Sequence, residues 1–117
     1  MMRILTFDDT DEGNRRFQLV WDGFRLGTFS QKPEDRTPDV MRTEWQIRKA
    51  LKTISTNGSV DGDVDHRDLQ TGGGSVELEQ PQIKLLTKYG WAVQWRPHIL
   101  EDAIDALDWA DAAPEKS

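Results

Sequence analysis

No cysteine occurs anywhere in the 117 residues. That absence removes disulfides, thiolate metal sites, iron–sulfur clusters and cysteine nucleophiles together. A chain that needs no disulfides suits a reducing compartment, so a cytoplasmic protein is the expectation. Histidine is nearly as scarce, with only His66 and His98. Two histidines in separate elements supply neither a catalytic triad nor a zinc site. Long apolar runs are missing too: no stretch approaches the ~20 residues that span a bilayer. The N-terminal segment Met1-Met2-Arg3-Ile4-Leu5-Thr6-Phe7-Asp8-Asp9 turns acidic at once, where a signal peptide carries about 7–15 apolar residues. The expectation is a soluble protein with no membrane role.

Positive charge is in short supply. Lys and Arg number 15 against 21 Asp and Glu, a net charge of −6. The deficit is one-sided. Residues 1–56 carry ten basic against nine acidic side chains, and residues 57–117 carry five against twelve. An acidic balance of this size disfavours direct binding to nucleic acid or anionic lipid.

What is present is aromatic. Hydrophobic residues make up only 36%, but five Trp and four Phe raise the apolar area each buried side chain contributes. The length suits a single domain over residues 1–117, burying roughly two-thirds of the surface of its unfolded chain. The expected class is α+β: a small antiparallel sheet from N-terminal hairpins packed against about three helices.

The sheet expectation rests on Phe17–Trp21 and Phe24–Phe29 flanking Asp22-Gly23. Asp-Gly between two β-rich runs signals a hairpin, since a type I′ turn needs positive φ at both central positions. A second hairpin is expected from Arg67–Gln70 and Ser75–Glu79, with Val76 and Leu78 on one face and Glu77 and Glu79 on the other. Thr37-Pro38-Asp39 reads as a helix start, with a hydroxyl N-cap and proline in the first turn. Val40, Ile47, Leu51 and Ile54 then recur at helical spacing, with Glu44 as the lone polar member of the stripe. Met41, Trp45 and Ala50 widen it, Arg42, Arg48, Lys49 and Lys52 occupy other faces, and the predicted helix covers about 38–55. Gln80-Pro81 opens another, which ends near Gly90 or runs on, Trp91–Trp95 being helix or strand. Arg96-Pro97 starts a last helix with a stripe of Ile99, Leu100, Ala103, Ile104, Leu107 and Ala110. Residues 114–117 read as a frayed tail, and residues 56–74 as a long Gly/Asp-rich loop.

That loop holds the sharpest local pattern. Asn57, Ser59, Asp61, Asp65 and Asp68, with Gly62 at the sixth position and Val64 at the eighth, follow the layout of an EF-hand calcium loop. Asn at position 1, a short Asp at position 12 and Leu-Gln-Thr-Gly-Gly-Gly where a helix should follow all depart from it. A solvated acidic loop is the reading these departures favour, so no metal is expected. Glu77 and Glu79 read as a solvated strand face, and Gly72-Gly73-Gly74 lacks the Lys-Ser/Thr of a phosphate loop. No catalytic, cofactor-binding or metal-ligating residue is assigned, and no enzyme is expected.

Two surfaces draw interest. Glu101, Asp102, Asp105, Asp108 and Asp111 leave the last helix acidic with no base between them. The tryptophans are mostly core candidates, although Trp is also enriched at interface hot spots, so one or two suit a subunit contact.

The C-terminal third (Gly73–Tyr89, Trp95-Arg96-Pro97 and Ala106–Pro114) resembles small proteins of uncharacterised role encoded by tailed phages and prophages. The resemblance is one of cadence and brings no site residues with it. It implies a phage or prophage origin, in virion assembly or host interaction. The leading expectation is thus a non-catalytic accessory protein that binds another protein or itself as an oligomer. The alternatives are an acidic inhibitor docking on a basic nucleic-acid-binding host protein, and a metal-dependent domain or small enzyme.

Overall fold

The computed structural model describes residues 1–56 and 69–116. The order is β1 (Met2–Phe7), α1 (Asp11–Thr28), a 3-10 turn (Pro33–Asp35), α2 (Pro38–Thr53), β2 (Gly74–Glu79), α3 (Gln80–Trp91) and α4 (Pro97–Asp111). The class is α+β, with a two-stranded antiparallel sheet and four α-helices among the described residues. The EF-hand-like segment and His66 lie outside the described residues.

The expected hairpin across Asp22-Gly23 is overturned: Phe17–Phe29 belongs to α1 and its C-cap. Thr10 caps that helix by accepting from the Gly13 amide, Asp11 and Glu12 sit in the first turn, and Arg25 sits in the last. The aromatic residues that fit period two also fit the helical period, and Phe17, Val20, Trp21 and Phe24 form its buried stripe. The glycines decide between the two. A Cβ on Gly27 would lie 2.1 Å from the Tyr89 carbonyl oxygen, and one on Gly23 would lie 3.1 Å from the Gly90 Cα. Gly23 and Gly27, one turn apart, form a groove that lets α3 approach backbone to backbone. Gly23 is a packing residue rather than a turn residue.

The sheet instead pairs the first strand with one that lies between α2 and α3. β1 pairs with β2 in the register Met2↔Glu79 to Phe7↔Gly74. Val76 and Leu78 point inward with Leu5 and Phe7, and Glu77 and Glu79 point outward, as the alternation requires. Ser75–Glu79 thus pairs with β1; of its expected partner strand, Arg67 and Asp68 lie outside the described residues, and Leu69 and Gln70 are not strand. Residues 69–71 are anchored: Leu69 is fully buried, the Thr71 hydroxyl donates to the Ile54 carbonyl at 2.6 Å, and the Thr71 amide donates to Asn14 Oδ1 at 2.9 Å. The turn into β2 uses Gly73 and Gly74 at φ of 102° and 148°, a region β-carbons disfavour.

The helix predicted at about 38–55 and the last helix predicted to start at Arg96-Pro97 match α2 and α4, and Trp91 closes α3 with no strand after it. α1 and α3 pack together at the centre. α4 lies against both, and α2 packs on α3 and β2. The core they enclose holds Leu5, Phe7, Phe17, Trp21, Phe24, Ile47, Leu51, Ile83, Leu86 and Tyr89.

The expected frayed tail is a strap. The Ile4 amide donates to the Pro114 carbonyl at 2.9 Å, the Lys116 amide to the Met2 carbonyl at 2.9 Å, and Arg3 Nη1 to the Ala113 carbonyl at 2.7 Å. Lys116 Nζ also meets Glu77 at 2.9 Å. These bonds cover the outer edge of β1, a place where open backbone invites mispairing. Truncation after Ala112 is expected to cost about 2 kcal/mol, from several lost hydrogen bonds and the buried Ala113 methyl. A lowered urea midpoint at unchanged slope would register it.

Candidate functional site

α2 has one dry face and one wet face, and the wet one is not ordinary. Val40, Ile47 and Leu51 turn inward, while Met41, Trp45, Lys49 and Lys52 follow one another along the opposite side at steps of four, four and three. Trp45 is 60% exposed. The Lys49 ammonium lies 4.9 Å from the centre of its ring, a cation–π contact. Arg42 flanks the stripe and bonds Asp39 at 2.7 Å. Phe29, from the C-cap of α1, is 77% exposed and joins Met41, Pro33 and Arg36 around a shallow cavity of about 420 Å³. An indole, a phenyl ring and a thioether thus stand in water on a positively charged face.

A buried ionic post holds this face in place. Glu44, next to Trp45 in sequence, points the other way and is almost wholly buried. Arg36 grips it with two bonds, Nε to Oε2 at 3.1 Å and Nη2 to Oε1 at 2.6 Å. The Tyr89 hydroxyl donates to Oε2 as well, and the Tyr89 ring stacks on Phe24 at 5.5 Å. One carboxylate therefore ties the connection before α2, α2 itself and α3 together. Burial works against the Glu44 charge, but the bonds from Arg36 and Tyr89 outweigh it and hold the carboxyl below its ordinary value. Burial and the bond to Glu44 push the Tyr89 hydroxyl well above its ordinary value.

The acidic face of α4 is where the sequence placed it. Glu101, Asp102, Asp105, Asp108 and Asp111 are all exposed. Asp102 takes Arg15 of α1 at 3.5 Å beside a groove of about 530 Å³ between α1 and α4. Exposed Leu100 and Ile104 share the outer surface of the helix.

The remaining candidates are separate. Glu77 is tied to Lys116, and Glu79 forms a reciprocal capping box with Gln82 at the start of α3. They make no acid–base pair. His98 is exposed in the first turn of α4. Among the described residues, no group of three or more His, Asp or Glu side chains is arranged to hold a metal ion. No helix there is long and apolar enough to cross a membrane. Of the tryptophans, Trp21 is core, Trp95 and Trp109 pack against the core, and Trp45 and Trp91 face solvent.

Sequence reasoning marked Trp45 as an edge residue and Glu44 as the odd polar member of an apolar stripe. It missed Phe29, assigned to a strand, and Arg36, passed over in a polar stretch. A lone acid at a core position is itself a signal, because such a charge needs a partner. No protein-family model, curated protein or solved structure matches the chain.

Proposed function

We propose that this chain is a non-catalytic binding protein, an accessory protein of the phage or prophage type working in the cytoplasm. Its working surface is the aromatic and basic face of α2 with Phe29. The carrying observation is Trp45, exposed at 60% among Met41 and Lys49 on a helix pinned by a buried carboxylate. A large aromatic side chain held in water by a rigid element has the anatomy of an interface hot spot. The surrounding bases select a partner that offers acids around an apolar ridge.

The probe is a synthetic amphipathic helix with leucines one turn apart, flanked by aspartate and glutamate. Added to the ¹⁵N-labelled protein, it is expected to shift the Trp45 indole resonance while those of Trp21 and Trp109 stay in place. Trp45→Ala should weaken binding by ~10–30-fold, about 1.4–2 kcal/mol at a hot spot. An unmoved Trp45 signal at saturating peptide would remove this reading.

A second reading draws on the α4 acids: docking of that face on a basic nucleic-acid-binding host protein. Displacement of DNA from such a protein by the wild type, lost in Glu101→Lys/Asp105→Lys, is its measurement.

A further inference from the structure

The exposed faces of α2 and α4 carry the same pattern in opposite charge. On α2 the order is Met41, Arg42, Trp45, Lys49, Lys52. On α4 it is Leu100, Glu101, Ile104, Asp108, Asp111. Each α4 residue lies 59 positions after its α2 counterpart, so one parallel alignment matches all five. Apolar meets apolar at Met41–Leu100 and Trp45–Ile104. Base meets acid at Lys49–Asp108 and Lys52–Asp111, while Arg42, bonded to Asp39, flanks one stripe as Glu101 flanks the other. Spacings of four, four and three put Met41, Trp45, Lys49 and Lys52, and likewise Leu100, Ile104, Asp108 and Asp111, on a single side of each helix, with Arg42 and Glu101 flanking them.

Leu100 and Ile104 are 42% and 37% exposed although they belong to an amphipathic helix whose inner face is already filled by Ala103, Ala106, Leu107 and Ala110. They form an apolar pair left over after the fold is complete. α2 packs on α3 and β2 and α4 on α1 and α3, so the two outer faces meet only between molecules.

We infer that the occupant of the α2 face is the α4 face of a second copy of this chain, the two helices lying parallel in the register 41↔100 to 52↔111. This deepens the binding role proposed above and rests on it. Each copy owns one face of each kind, so the contact is heterologous and either closes into a ring or continues as a chain. A single pair of helices falls at the small end of specific interfaces, below about 1,200 Å² in total. The association is therefore weak and concentration-dependent, and salt weakens it further because its charge pairs are exposed.

The test reverses charge at exposed Lys49, Asp108 and Asp111 and at half-buried Lys52, and circular dichroism verifies the fold of each variant. Sedimentation should show wild-type mass rising with concentration and falling back at high salt. Lys49→Glu/Lys52→Glu leaves a chain with two acidic faces, and Asp108→Lys/Asp111→Lys leaves one with two basic faces. Each alone should associate at least ~10-fold more weakly, since two attractive pairs become repulsive. Mixed together they should recover association, because each then offers the other complementary faces. A wild type that stays monomeric throughout overturns the inference, as does undiminished association of either variant or a mixture that fails to recover. The acidic-peptide measurement separates the two levels. A monomeric chain whose Trp45 still answers the peptide loses self-association and keeps the binding face, whereas silence in both removes both.

Discussion

Replacing Gly27 with alanine is expected to be among the most damaging single-methyl changes available to this protein. The added carbon would sit 2.1 Å from the Tyr89 carbonyl oxygen and 2.5 Å from the carbonyl carbon. Both are backbone atoms of α3, so no rotamer change relieves the overlap. α1 and α3 must move apart, and Trp21, Phe24 and Tyr89 pack across that seam. Alanine gains about 1 kcal/mol over glycine in helix propensity. Forced separation of a close-packed seam costs more, for a net loss of about 3 kcal/mol. The melting temperature should fall by on the order of 10 °C. Gly72→Ala is the control. Its added carbon would meet only the Thr56 methyl, at 3.5 Å, an ordinary contact, so thermal unfolding should stay within about 0.5 kcal/mol of wild type. Equal stability of the two variants would show that α1 and α3 do not meet through this groove.

The same glycine marks where sequence reading stopped. α2 was legible because its signals are local: Thr37 at the cap, Pro38 in the first turn and an apolar stripe from Val40 to Leu51. α4 was legible for the same reason. α1 was not, although its cap at Thr10 and its acidic first turn are equally local. Phe17, Leu19 and Trp21 satisfy a strand period, and Asp22-Gly23 satisfies a turn, so two local readings competed. What separates them is the need of α3 for a groove at Gly23 and Gly27, and α3 begins more than fifty residues later. The β1–β2 pairing is more distant still, joining Met2 to Glu79. No turn residue announces a strand pair of that separation.

The candidate face divides in the same way. Trp45, Met41 and Lys49 are neighbours on one helix, and their common side follows from spacing alone. Their exposure does not, because it depends on which side of α2 meets α3 and β2. Phe29 joins them only because α1 is a helix that ends there. Glu44 stood out as a charge at a core position, but its partners come from the 3-10 turn connection and from α3. The acids of α4 were legible in full, whereas their offset from the α2 stripe went unread. That register acquires meaning only once both faces are found exposed.

Glu44 should also set the pH range over which the fold is stable. Glu44→Ala leaves the Tyr89 hydroxyl buried without its acceptor and Arg36 without its counter-charge, a loss of about 3 kcal/mol. Glu44→Gln preserves the shape and should cost less, because its amide oxygen can still accept one bond. The two limbs of the pH profile follow from the opposite shifts of Glu44 and Tyr89. The Glu44 carboxyl is held below its ordinary value in the fold, so the unfolded chain takes up that proton first as pH falls. Its contribution is whole above the ordinary glutamate value of about 4.3 and drains away as pH drops through the folded value. The Tyr89 hydroxyl is raised, so the unfolded chain releases that proton first as pH rises. Its contribution is whole below about 10 and is lost above it. Thermal unfolding followed from acid to alkaline pH should therefore show Glu44→Gln losing the steep acid limb, its deficit shrinking as pH falls. Tyr89→Phe should flatten the alkaline limb in turn. If the deficit of Glu44→Gln were instead constant from neutral pH down to pH ~3, well below the ordinary value, the fold would hold the charged carboxylate no better than the unfolded chain does. The Arg36–Glu44–Tyr89 post would then hold α2 by packing alone, and the Trp45 face would owe its position to the apolar side of the helix.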